Sequence, residues 1–395
     1  MSGLPEFIVV SISLIAVFIS SGVPIPLYNM YRFENGVTNS NLALTTVAYL
    51  GTTAVALVSL GRLSNHLGRK PVAIAAVLIG SAACLVMTQI NGALLLTVGR
   101  MLQGLACALA STAIGSYVID TAGHRVPRWL PAVITSSAPP FSNPIGALFS
   151  GMMVQMGLRP RVSAYLCLAV ILALLAVLLA FCAETTGRKV GVIASLIPKV
   201  HVPKGQGKRL FSIGAVIVSA WSLSGFYQAF SPTLTADHLG TNNALVVAVV
   251  FSSIVVLSPI GGSLTGKLRP VLAIRIGLTG FVLAACAVTV SLFAQAIVPF
   301  LIFSFIAGIL QGASNSGALR DLLATADPSE RPGVLATIYL ISYGGAAAPS
   351  LVAGRVATQY SLNTILLGYM VIVVVCAIIA LTTLRERSTA HFNES

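Results

Sequence analysis

Long apolar stretches alternate with short polar breaks from one end of the chain to the other. Each stretch approaches the roughly 20 apolar residues that a helix needs to cross the hydrocarbon core of a bilayer. About twelve are present, at 6 to 27, 41 to 61, 71 to 91, 93 to 119, 131 to 156, 162 to 183, 211 to 233, 244 to 265, 271 to 292, 296 to 319, 332 to 357 and 361 to 384. The pattern predicts an all-α integral membrane protein. The first stretch begins with Glu6 where a leader would carry basic residues, and further apolar stretches follow it, so it reads as a retained span.

Composition and charge turn this pattern into a topology. Hydrophobic residues make up 56% of the 395 and charged residues only 8%, whereas a soluble surface needs about a quarter charged residues. Assigning Lys and Arg to alternate loops places Arg62, Arg69, Lys70, Arg125, Arg128, Arg188, Lys189, Lys199, Lys204, Lys208, Arg209, Lys267, Arg269, Arg275, Arg320, Arg331, Arg385 and Arg387 on the side that holds both termini. Arg32, Arg159, Arg161 and Arg355 fall opposite, and Arg100 lies inside a span. The basic excess marks the cytoplasmic side, so both termini are expected in the cytoplasm, in a multi-pass protein of the bacterial inner membrane. The net charge of +13 then reads as topology with weak attraction to anionic lipid. It is no nucleic-acid footprint, since no basic stretch is interleaved with aromatics. Cys84, Cys107, Cys167, Cys182, Cys286 and Cys376 lie singly in or at the ends of spans and read as small hydrophobes.

The chain repeats itself. ETTGRKVGVIASLIPKVHVPKGQGKRL, residues 184–210, is the longest polar-leaning segment and reads as a basic cytoplasmic linker between a six-helix bundle over residues 1–183 and a second over residues 211–395. RMLQG (100–104) and GILQG (308–312) open similar small-residue runs in the fourth and tenth spans. Proline and glycine interrupt the fifth span, SSAPPFSNPIGALFSG, and the eleventh, SYGGAAAPSLVAG. Broken segments at matching places in two halves point to a transporter's central site; the alternative is that these prolines only bend helices for packing.

GRLSNHLGRKPV, residues 61–72, crowds Arg62, His66, Arg69 and Lys70 between the second and third spans. It resembles the loop motif of the major facilitator superfamily, in which glycine, x, leucine, x, aspartate, arginine, x, glycine, arginine and lysine follow one another. Gly61, Leu63, Gly68, Arg69 and Lys70 match, while Asn65 and His66 depart from it. GRMLQGLACALA is similar to the family's arginine and glutamine-glycine motif through Arg100, Gln103 and Gly104, and ETTGRK to its exit sequence after the sixth span. The resemblance covers the whole chain and is closest to the bacterial drug/proton antiporter (multidrug efflux) branch. It implies two pseudo-symmetric six-helix bundles, alternating access and a monomer. It also implies a gate in which Arg69 reaches an acid at the end of the fourth span, here Asp120 in GSYVID. That pair is expected to hold while the cytoplasmic gate is shut and to break when it opens; the alternative is a plain topology-setting loop. Asn65 keeps hydrogen-bonding capacity there but cannot exchange a proton. Asp321, with Arg320, Asp327, Glu330 and Arg331, is the second half's counterpart, facing Lys267 and Arg269.

An ionisable side chain deep in a span is a functional hypothesis by default, and Arg100 is the clear instance; the alternative is that it snorkels to the periplasmic interface. In the branch that the chain resembles, the matching arginine is implicated in proton transfer or in holding a counter-charge. All ten acids lie in loops or near span ends, which argues against a cation-selective pocket and for a neutral or anionic amphipathic substrate. Gln103, Asn143, Trp221, Tyr227, Gln228, Gln311, Asn315, Tyr339 and Tyr343 are the polar and aromatic groups expected to face the cavity. Each has helix packing as its alternative role.

Other classes fit less well. His66, His124, His201, His238 and His391 all fall in loops or tails, so Ser314 in GASNSG has no base at membrane depth and an enzyme is not expected. Phosphate-binding loops and metal motifs are absent from the sequence, so neither ATP nor a cofactor is expected. A channel needs a filter or charged ring, and a ligand-binding receptor on a transporter scaffold is the remaining other class. The expected function is secondary transport of a small molecule, most simply export of amphipathic compounds with protons as the candidate coupling ion. The alternative is an importer or exchanger of a small organic anion with Arg100 as the binding charge.

Overall fold

The structure, a computed structural model, describes residues 3–123, 126–157, 159–198, 206–324 and 330–384. The expectations placed on His124, Arg125, Lys199, His201, Lys204, Asp327, Arg385, Glu386, Arg387, His391 and Glu394 lie outside the described residues. Among the described residues every regular element is helical. The twelve long ones are α1 (Leu4–Asn35), α2 (Asn39–Leu60), α3 (Arg69–Met87), α4 (Ala93–Asp120), α5 (Leu130–Gln155), α6 (Pro160–Ala180), α7 (Gly207–Asp237), α8 (Ala244–Leu264), α9 (Pro270–Phe293), α10 (Ile297–Leu323), α11 (Arg331–Val356) and α12 (Leu362–Thr383). Eleven are long and apolar enough to cross a membrane. The twelfth, α5, is less apolar because three prolines and several hydroxyl residues lie inside it.

The interruptions fall elsewhere than the prolines suggested. α5 and α11 are continuous although they contain Pro139, Pro140, Pro144 and Pro349. Missing N–H groups are tolerated where neighbouring helices and hydroxyl side chains take up the freed carbonyls. The breaks are instead at Val23 in α1, ahead of Pro24, in a π-helical turn at Ala110–Ile114 of α4, and between Ser253 and Ser258 of α8.

Helix pairing repeats six helices on. In the first bundle α2 packs on α4, α3 on α4 and α6, and α1 on α5; in the second α8 packs on α10, α9 on α10 and α12, and α7 on α11. Each bundle has its own apolar core, around Phe18, Tyr117 and Tyr165 in one and Phe226, Phe281 and Phe300 in the other. Large apolar side chains such as Leu94, Leu283, Val290 and Val371 stay exposed on the outside, where lipid replaces water as the solvent. The bundles meet along two matching seams, α2 with α11 and α5 with α8. A Cβ on Gly354 would stand 2.8 Å from that of Ala43, and one on Gly151 3.0 Å from the Ala244 carbonyl, so both seams are tight at the same end. Polar contacts join the bundles at this end too. Asn29 donates to the Pro232 carbonyl (3.1 Å), Thr233 to Asn39 (2.9 Å), and Arg32 pairs with Asp237 (3.9 Å). The opposite end, which carries the 61–72 loop, is called the basic end below.

Candidate functional site

Arg100 lies on α4 with 0% of its surface exposed. Its surroundings follow from a proline in another helix. Pro24 has no N–H, so the carbonyl of Ser20, four residues earlier in α1, has no intrahelical donor. Gln103 supplies one, its Nε2 donating to Ser20 O at 2.7 Å. The oxygen of the same amide accepts from Arg100 Nη1 (3.0 Å), which also donates to the Ser21 carbonyl (2.7 Å). The Ser21 hydroxyl in turn donates to Asn143 Oδ1 on α5. Tyr49 of α2 closes the group from the remaining side, with its ring centroid 4.3 Å from the guanidinium carbon. A desolvated cation over a tyrosine face gains on the order of 2 kcal/mol. Arg100 Nε and Nη2 are buried and have no hydrogen-bond partner.

The second bundle repeats the arrangement without the charge. Gln311 of α10 donates from Nε2 to Ser224 Oγ of α7 (2.8 Å). Its Oε1 and the Oδ1 of Asn315, one turn further on, are buried without a partner. Trp221 packs at a tilt against Tyr343, with ring centroids 5.1 Å apart, and Tyr343 reaches across to Ala56, Leu57 and Ala108 of the first bundle. Gln228 is buried on α7, and Tyr339 is exposed one turn before Tyr343. Tyr227 is not brought to this group. It is fully buried in the second bundle, bonded to Ser304 Oγ (2.5 Å) and stacked on Phe300.

At the basic end Arg69 Nε donates to Asp120 Oδ2 (3.1 Å), and its Nη1 donates to Ser64 Oγ (2.8 Å) and Asn65 Oδ1 (2.6 Å). Asn65 thus still accepts a bond from Arg69. Gly61 caps the end of α2. Gly68 has a φ of 103°, and a Cβ there would lie 2.4 Å from the Glu184 carboxylate. That carboxylate accepts from the backbone N–H groups of Arg69 (2.8 Å) and Lys70 (3.1 Å), placing a negative charge on the N-terminus of α3. The segment after Glu184 folds back on the loop. Lys189 N donates to His66 O (2.9 Å), and Arg62 Nη2 donates to the carbonyls of Ser195 (3.0 Å) and Ile197 (2.7 Å). All of these contacts join parts of the first bundle and the segment after it. The Arg69–Asp120 pair is therefore formed while the bundles are joined at the other end, and it does not itself span them.

In the second bundle Asp321 accepts two bonds from Arg209 at the start of α7, one of them at 2.6 Å. The loop carrying Lys267 and Arg269 is held by its carbonyls, with Arg320 donating to Thr265, Gly266 and Leu268 at 2.8 to 3.0 Å. Sequence reasoning missed Tyr49, Ser20, Ser21, Glu184 and Arg209. Pro24 was the available signal for Ser20; Tyr49 carries none, because its partner is 51 residues away.

The comparisons with known proteins agree with this architecture. A family model described as Major Facilitator Superfamily matches residues 10–252. The multidrug resistance protein MdtL of Klebsiella pneumoniae subsp. pneumoniae is 28% identical over 122 residues, a match spanning 30% of this chain and 31% of that relative. A crystal structure of a variant of the nucleoside transporter NupG superimposes with a TM-score of 0.75 at 12% identity, covering 96% of this chain and 100% of the other. A bacterial homolog of the human lysosomal transporter Spinster, in an inward-facing and occupied conformation, gives 0.70 at 14% identity, covering 95% and 96%. These two likenesses bear on the fold, and the family match bears on descent: the chain belongs to the Major Facilitator Superfamily.

Proposed function

We propose that the protein is a secondary transporter that exports small amphipathic compounds by alternating access between residues 1–183 and 211–395, with 184–210 as the linker. The observation that carries this reading is the paired seam, α2 with α11 and α5 with α8, tight at one end of the molecule. Two similar bundles joined at one end around buried polar groups form a two-state element, and a ligand that favours one state shifts its population. The basic excess argues that the basic end is cytoplasmic, which puts the close approaches of the two seams at the periplasmic end. The distant likeness to MdtL supports efflux over uptake. Gln103 and Asn143 of the first bundle and Trp221, Gln311, Asn315 and Tyr343 of the second supply orienting groups, and the Arg69–Asp120 network tunes the basic end through the linker it holds. Protons are the candidate coupling ion and a single copy is the working unit. Flux of an amphipathic compound panel in inside-out vesicles, with and without an imposed pH gradient, tests this. Gradient-responsive accumulation is the expected result. Ligand binding without flux under any gradient would point to a receptor.

A further inference from the structure

Arg100 carries a guanidinium cation where no described acid offsets it. Among the described residues the two buried carboxylates, Glu6 and Asp321, are engaged at the basic end by Ala183 N and Arg209. The guanidinium is also only half used. Nη1 serves the Ser21 carbonyl and Gln103, the Tyr49 ring covers one face, and Nε and Nη2 have no partner. These two nitrogens share one edge of the planar group, the edge whose N–H bonds run parallel and match the two oxygens of a carboxylate. Two unmet donors and an uncompensated charge, buried together, favour an anion as their partner.

We infer that Arg100 binds the carboxylate of an amphipathic organic acid side-on through Nε and Nη2, so that the transported substrates are monocarboxylates. This rests on the transport reading above and names its substrate class. The charge count selects a monoanion, because the second charge of a phosphate dianion would find no cation in this group. The aromatic side chains of Tyr49, Trp221 and Tyr343 suit the apolar remainder of such a molecule. Full burial makes the site occluded in this state, with Tyr343 on the seam that must part to admit the acid.

The test is thermal unfolding of the purified full chain in detergent. Formate, acetate, benzoate and 2-naphthoate are each titrated against the matching amide, with chloride as the salt control. At least one carboxylate should stabilise saturably, with an affinity about tenfold or more above its amide, and Arg100→Gln should reduce that preference to about twofold or less. Arg100→Lys, which keeps the charge without the fork, should lose most of the preference and serves as the test if the Gln variant does not fold. No carboxylate exceeding its amide, chloride matching the best carboxylate, or a preference that survives in the variants overturns the inference. Vesicle flux of the amphipathic compound panel, with the carboxylates and their amides included, reads the transport function separately. Flux without carboxylate preference sinks this inference alone, whereas carboxylate preference without flux sinks the transport reading and leaves the binding site standing.

Discussion

α4 and α10 occupy the same place in their bundles and use it differently. In each, a glycine of the shared LQG triplet lies against the backbone of a neighbouring helix. A Cβ on Gly104 would stand 2.5 Å from the Tyr49 carbonyl of α2, and one on Gly312 would stand 1.8 Å from the Ser258 carbonyl of α8. Four residues earlier the two helices part. Gly308 repeats the close approach, with a Cβ 2.6 Å from the Ile254 carbonyl, whereas α4 carries Arg100 at the matching position. In the second bundle the two helices stay in close contact across that turn. In the first, a guanidinium and the ring that covers it take the place of that glycine contact. One duplicated scaffold thus yields a packing half and a chemical half, and the difference lies in a single side chain and the room made for it.

The sharpest way to break this comparison is to force the two halves to match. Gly308→Arg should lower the yield of monodisperse protein on size exclusion by about tenfold or more, because the new side chain must displace backbone and bury an unpaired charge. Normal yield would show that the α8–α10 seam is as accommodating as the α2–α4 seam. The reverse change acts on function: Arg100→Ala should cut vesicle flux by about tenfold or more while leaving the protein folded. Gln311→Ala should stay within about threefold, and equal losses would erase the distinction between the halves.

The acids at the basic end rank in the other direction. Asp321 is 6% exposed and takes two bonds from Arg209, whereas Asp120 is 33% exposed opposite Arg69. Asp321→Asn should therefore cost about 3 kcal/mol or more in thermal unfolding, as expected for breaking a buried pair. Asp120→Asn should cost about 1 kcal/mol or less, as for a partly exposed one. The two glutamines separate the halves again, and the smallest effect of all falls on the second of them. Gln103→Leu leaves both Ser20 O and Arg100 short of a bond and should cost about 1 to 3 kcal/mol. Gln311→Leu loses the bond to Ser224 but also removes an unmet buried oxygen, so its melting temperature should stay close to that of the wild type. A larger loss for Gln311→Leu would reverse the assignment of the chemical half.

Much of the architecture was legible because its signals are local. The ninth apolar stretch, 271 to 292, differs by a residue at each end from Pro270–Phe293, since hydropathy adds along a helix whatever that helix touches. The first apolar stretch stops at residue 27, eight residues before α1 ends at Asn35, because the last turns of that helix are polar and pack on α7 and α8. The reading of α5 and α11 as broken helices erred because a proline removes one N–H, and whether the helix then opens depends on what surrounds the freed carbonyl. The loop motif pointed to Arg69 and Asp120, but not to Glu184 on the α3 amides or to the linker lying on His66 and Arg62. Those partners are 100 or more residues away.

The sequence by itself determined that the chain lives in a bilayer, crosses it about twelve times, repeats its plan after six helices and collects its positive charge on one side. Each of these follows from sums over neighbouring residues. Only the tertiary structure decided which end of the two seams is tight, that Tyr227 turns into a core while Tyr49 covers a charge, and that Arg100 keeps two nitrogens unpartnered. A hydrogen bond or a cation over a ring exists only when two groups meet within a few ångströms at the right angle. Helices brought together from distant parts of the chain set that geometry, and no window of sequence contains it.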